Sequence, residues 1–203
     1  MANAEISELA RLLESSDVAT RQLVLTELAD ALSESAFEPL LVAVRDPDAT
    51  VRELALDLLD ELGDARGLPA IVEALADDSE RVRKLAAGAV RDSRSPELVE
   101  LLLARLDHPL AEVRAASIAG LREHRAAHAE GPLIERLSDT SPEVRAAAVV
   151  ALGHLRSIAS VAPLIGRLGD EQPTVRRLAI GALHFARTEE VRLALVADRK
   201  SVV

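Results

Sequence analysis

Residues 139–152, Asp-Thr-Ser-Pro-Glu-Val-Arg-Ala-Ala-Ala-Val-Val-Ala-Leu, decide how the chain is read. Ser141-Pro142-Glu143 is a helix start: a hydroxyl at the cap, a proline suited to the first helical position, and an acid against the positive end of the helix dipole. Val144, Ala148, Val149 and Leu152 stand one before and three, four and seven after Arg145, a spacing that gathers them on one helical face. The same pattern recurs at a fixed interval along the chain. Val-Arg occurs at 51/52, 82/83, 113/114, 144/145 and 175/176, with Thr20-Arg21 as a degenerate first copy. Arg21, Arg52, Arg83, Arg114, Arg145 and Arg176 therefore stand 31 residues apart without an insertion or deletion. A period of this length is the signature of a repeat architecture.

A second helix signature fills the rest of each unit: Leu40-Leu41-x-x-Val44, Leu102-Leu103-x-x-Leu106, Leu133-Ile134-x-x-Leu137 and Leu164-Ile165-x-x-Leu168. Cap residues agree, with Asp17, Asp48 and Ser79 before the Val-Arg helices and Ser33, Ser95-Pro96-Glu97, Ser157 and Thr188 before the others. Leu110 and Gln172 interrupt the cap pattern. One helical pair cannot bury its own apolar stripe, so each must stack on its neighbours. The expected fold is all-α, a right-handed solenoid of six two-helix repeats closed by a C-terminal capping helix at about residues 189–200, in a single domain over residues 1–203.

The turn aspartates Asp46, Asp77, Asp139 and Asp170, the Val-Arg that follows them, and a small residue three positions later (Ala55, Ala86, Ser117, Ala148, Ala179) resemble the HEAT-repeat family. The likeness is to its short 31-residue variety known from phycobilisome-lyase-like proteins, and it covers essentially the whole chain. It implies a repeat scaffold, and as an alternative a protein that handles bilins or other tetrapyrroles. HEAT-fold hydroxylases carry His-Glu dipeptides after the Val-Arg; here those positions hold residues such as Glu53-Leu54 and Ala146-Ala147, and no His-Glu dipeptide occurs. A DNA-lesion glycosylase of this fold would need a basic, aromatic groove, which the sequence does not offer.

Composition narrows the function classes. The 203 residues include two aromatics, Phe37 and Phe185, and no cysteine, which leaves no stacking platform, disulfide or thiolate metal site. Net charge is −10, unsuited to sequence-independent capture of nucleic acid. No apolar run approaches the ~18 residues that span a bilayer, and no signal-type segment opens the sequence, so a cytoplasmic protein without membrane partners is expected. Phosphate loops, nucleophile elbows and dinucleotide fingerprints are absent, so neither catalytic residues nor a cofactor nor a metal site is expected. Charge is lopsided: residues 1–93 hold 20 acidic and 9 basic residues, residues 94–203 hold 14 and 15. This asymmetry suits a partner of complementary polarity or end-to-end self-association.

Three features suggest function. The arginine column opposite the turn aspartates reads as inter-repeat hydrogen bonding rather than chemistry. Arg94, Arg125, Arg156 and Arg187 form a second column at helix C-termini, where they suit the dipole or could bind an anion. Glu123, His124, His128, His154 and His184 gather near helix ends without organised metal spacing. The most informative surface is the expected concave face, one, five and eight residues after each arginine. In the early copies it is polar or charged, as in Glu53, Asp57 and Asp60 or Lys84, Gly88 and Arg91. In the later copies it becomes Ala115, Ala119, Arg122; Ala146, Val150, Gly153; and Arg177, Gly181, His184. Small residues facing water suggest a surface that receives a partner protein at close range.

Overall fold

In a computed structural model, residues 8–186 and Val191 are described; the expected capping helix, Arg187 and Thr188 lie outside them. All regular structure among the described residues is helical. The Val-Arg helices are α1 (Val18–Asp30), α3 (Ala49–Leu62), α5 (Glu80–Asp92), α7 (Ala111–Glu123), α9 (Pro142–Leu155) and α11 (Pro173–Ala182). Between them run shorter helices, α2 (Phe37–Ala43), α4 (Leu68–Glu73), α6 (Glu97–Leu103), α8 (Glu130–Arg136) and α10 (Val161–Gly166). The helices group into two compact units that divide between Ser95 and Pro96. In the first unit α3 packs on α1, α2 and α5, and in the second α9 packs on α7, α8 and α11.

Helix starts follow the sequence closely. Asp17 accepts from the Thr20 amide, Asp48 from Thr50 and Val51, and Ser141 from Val144, while the helices after Leu110 and Gln172 have no side-chain cap. Ser79 makes no capping bond, and Pro96 occupies the cap position itself, one residue after the expected cap at Ser95. The core is the apolar stripe of the repeat. Val51, Val82, Val113, Val144 and Val175 are buried, as are Leu28, Leu59, Val90, Leu121, Leu152 and Leu183 seven residues after each arginine. Ala55, Ala86, Ser117, Ala148 and Ala179 are fully enclosed. A bulkier side chain there would hold packed helices apart; Ser117 fits because its hydroxyl donates to the Val113 carbonyl at 2.8 Å.

The turns at Asp46, Asp77, Asp139 and Asp170 are each locked by the arginine of the preceding copy. Arg21 Nε and Nη2 donate to Asp46 at 2.7 and 2.8 Å, while Nη1 donates to the Ser15 carbonyl. Arg52 repeats this on Asp77 and the Asp46 carbonyl, Arg114 on Asp139 and the His108 carbonyl, and Arg145 on Asp170 and the Asp139 carbonyl. Each aspartate also accepts from the amide two residues on, as Asp139 does from Ser141 and Asp170 from Gln172. In the turn between those of Asp77 and Asp139, His108 stands in the place of the aspartate, and its Nδ1 accepts from the Leu110 amide.

Burial alone would raise the pKa of Asp77, Asp139 and Asp170; the bonds from arginine and backbone amide, with the arginine charge, outweigh it and hold all three below the ordinary carboxylate value. A carboxylate depressed in the folded state adds stability above its unfolded pKa, and that stability is lost as pH falls through the lower folded value. Wild-type urea midpoints should therefore decline on acidification below about pH 4, and Asp139→Asn with Asp170→Asn should flatten that decline. Asp170→Ala, which leaves the buried Arg145 guanidinium only the exposed Glu171 as a carboxylate partner, should cost about 3 kcal/mol in chemical unfolding. Removing Glu53, whose partner Arg81 is mostly exposed, should cost about 0.5 kcal/mol or less.

Candidate interaction surface

The Val-Arg helices turn their valine and leucine stripe inward, so the positions one, five and eight after each arginine fall on the side away from the core. In the second unit Ala115, Ala119, Arg122, Ala146, Val150 and Gly153 are half-buried, and Arg177, Gly181 and His184 are exposed. These nine residues do not share one cause. A Cβ on Gly153 would meet Cβ of Ala182 at 2.8 Å and its Cα at 3.0 Å, so this glycine is small because α11 crosses α9 there. Gly181 has nothing within 4 Å of where its Cβ would be. Arg122 is not a free cation either, since its Nε donates to Glu123 at 3.0 Å. The face of small side chains therefore reduces to Ala115, Ala119, Ala146 and Val150, with open ground at Gly181.

In the first unit the corresponding face is charged in the copy that follows Arg52. Glu53 pairs with Arg81, while Asp57 and Asp60 are exposed. Partial desolvation first, and the charges of Asp57 and Asp92 second, raise the pKa of Asp60 above the ordinary value. Leu59, Asp60, Gly63, Asp64, Leu68 and Arg94 are among the residues around a cavity of about 400 Å3 beside this face.

The second arginine column is not uniform. Arg94 borders that acidic cavity and helps lower the pKa of Asp92, although Asp92 owes more to its hydrogen bonds from Arg91. Arg125 and Arg156 end α7 and α9 with φ of 47° and 54°, in the left-handed region. Gly63 holds the same register with φ of 66°. A side chain in this conformation costs roughly 1 kcal/mol that glycine does not incur. Arg156 also lies over the Phe185 ring at 6.0 Å. Neither the left-handed backbone nor the division of the column is visible in the residue types.

The histidines do not form a cluster. His128 faces Glu100 at 3.3 Å, and His154 and His184 are exposed. Among the described residues no group of three or more His, Cys, Asp or Glu is placed to hold a metal ion. No described helix is long and apolar enough to cross a membrane. Asp64, which the sequence reading did not single out, caps the turn before α4 by accepting from the Arg66 amide.

Paired helices repeated at a fixed interval and tied by arginine–aspartate rungs define an α-helical repeat protein. A family model described as HEAT repeats matches residues 6–91, 37–122, 99–184 and 130–199, and the chain belongs to the HEAT-repeat family. No curated protein matches the sequence. Among solved structures, the Escherichia coli protein YibA is similar with a TM-score of 0.61 at 22% identity, over 95% of this chain and 74% of that one. A computationally designed armadillo repeat protein for modular peptide recognition aligns with a TM-score of 0.53 at 23% identity, over 88% of this chain and 98% of the other. An engineered protein aligns at 0.54 and 21% identity, over 94% and 97%. At these identities the likeness is one of fold.

The two glycines on the interaction face should respond in opposite ways. Gly153→Val should lower thermal stability by about 1–3 kcal/mol through overpacking against Ala182. Gly181→Ala should be neutral or stabilising by up to about 1 kcal/mol, because alanine is the better helix former and meets nothing.

Proposed function

We infer that this protein is a non-enzymatic interaction scaffold that receives a segment of a partner protein on the outward face of its later Val-Arg helices. The observation that carries this reading is the face itself. Ala115, Ala119, Ala146 and Val150 keep partial exposure where the copy that follows Arg52 carries Glu53, Asp57 and Asp60, and Gly181 beside them is unobstructed. Long charged side chains are the usual occupants of a helix face that meets only water. Their replacement by methyl-sized groups lets another backbone or helix come close, as helix-in-groove recognition requires. Membership in a repeat family supports the same reading, as does the fold shared with an armadillo protein designed for peptide recognition.

The groove is taken to comprise Ala115, Ala119, Arg122, Ala146, Val150, Arg177, Gly181 and His184, with Gly153 as a packing residue beneath it. The scaffold is assigned to the cytoplasm on its lack of cysteine, and its partner to protein rather than nucleic acid on its net charge of −10. Ala119→Glu or Val150→Glu should reduce retention of the native partner from cell extract at least tenfold while leaving the thermal midpoint nearly unchanged. Undiminished retention by both variants would remove the helix face from the reading.

A further inference from the structure

We propose that Arg125 and Arg156 form an anion-reading edge of the second unit, which takes two carboxylates of an extended acidic segment in the partner protein. This deepens the scaffold reading and rests on it. Both arginines end a Val-Arg helix, both are exposed, and both occupy a left-handed position that the first unit gives to Gly63. Glycine is the residue that such a helix end favours, so stability does not account for a long charged side chain at two successive copies. Attraction to the helix dipole does not require that position either, because a cation elsewhere in the last turn serves it as well. Among the described residues neither guanidinium has a carboxylate within ion-pair distance, in contrast to Arg122 beside Glu123 and Arg136 beside Asp107. Arg94, one copy earlier, borders acids of its own unit. What distinguishes Arg125 and Arg156 is therefore the combination of a left-handed helix end with a positive charge that no described carboxylate pairs.

Spacing defines the ligand further. Equivalent positions on stacked helices lie roughly 8–10 Å apart. A polyproline-type segment rises about 3.1 Å per residue with three residues per turn, which puts acids at every third position on one side and about 9 Å apart. Guanidinium groups recognise carboxylates through paired N–H donors, so two such contacts at that spacing select both charge and register.

The probe is fluorescein-labelled (Glu-Pro-Pro)4, titrated at physiological ionic strength, where charges more than about 8 Å from the peptide are largely screened. Saturable binding is expected, with none for (Gln-Pro-Pro)4. The Arg125→Gly, Arg156→Gly double variant should bind at least tenfold more weakly with a thermal midpoint unchanged or raised, since glycine suits both backbones. Equal affinity of the variant, equal binding of the glutamine peptide, or displacement by inorganic phosphate at concentrations below those of unlabelled peptide would each overturn the edge. Ala119→Glu is titrated in parallel: loss confined to the arginine variant supports the edge whatever becomes of the helix face, and the two readings fail separately.

Discussion

The bidentate bond between an arginine near the start of one helix and the aspartate of the next turn is the constraint on which the rest of the molecule depends. Its geometry uses all three arms of the guanidinium. Nε and Nη2 hold the carboxylate 25 residues on, and Nη1 holds a carbonyl six residues back, as Arg145 does with Asp170 and Asp139. The aspartate in turn holds the amide that opens its own helix. A lysine could not replace this arginine, because a point charge cannot bridge two turns in fixed directions. The side chains lie in the buried layer, so the charges would be costly alone and are tolerable only because every arm is used.

Helix approach is the second constraint. The enclosed small residues at Ala55, Ala86, Ser117, Ala148 and Ala179 set how closely the layers meet, and Gly153 extends the same logic to the face that was expected to be free. A small residue on a repeat helix therefore has two possible causes: contact with the next helix, or accommodation of something outside the chain. Distance separates them, because a Cβ at Gly153 would collide with Ala182 and one at Gly181 would meet nothing. The proposed groove rests on the second kind of position.

Charge is arranged with the same division of labour. Paired arginines are structural, and they recur in every turn that has an aspartate. His108 shows what that turn requires of its residue, since the imidazole keeps the acceptor for the Leu110 amide without supplying a carboxylate. The exposed acids around Asp57 and Asp60 and the arginines at the ends of α7 and α9 lie outside this scheme. Features that the repeat does not need are where a repeat protein can carry recognition.

By itself the sequence determined the helical repeat, its period, its buried stripe, the helix caps at Asp17, Asp48 and Ser141, and the pairing of arginine with turn aspartate. Each of these is a local or strictly periodic requirement, so it is written once in every unit. Tertiary structure decided what depends on a neighbour or on backbone conformation. It placed Gly153 under Ala182, gave Arg122 to Glu123, put Arg94 beside acids, and set Arg125 and Arg156 in the left-handed region. Residue type records that a position is small or charged; only the distance to the packed helix says whether that property is spent inside the fold or left for a partner.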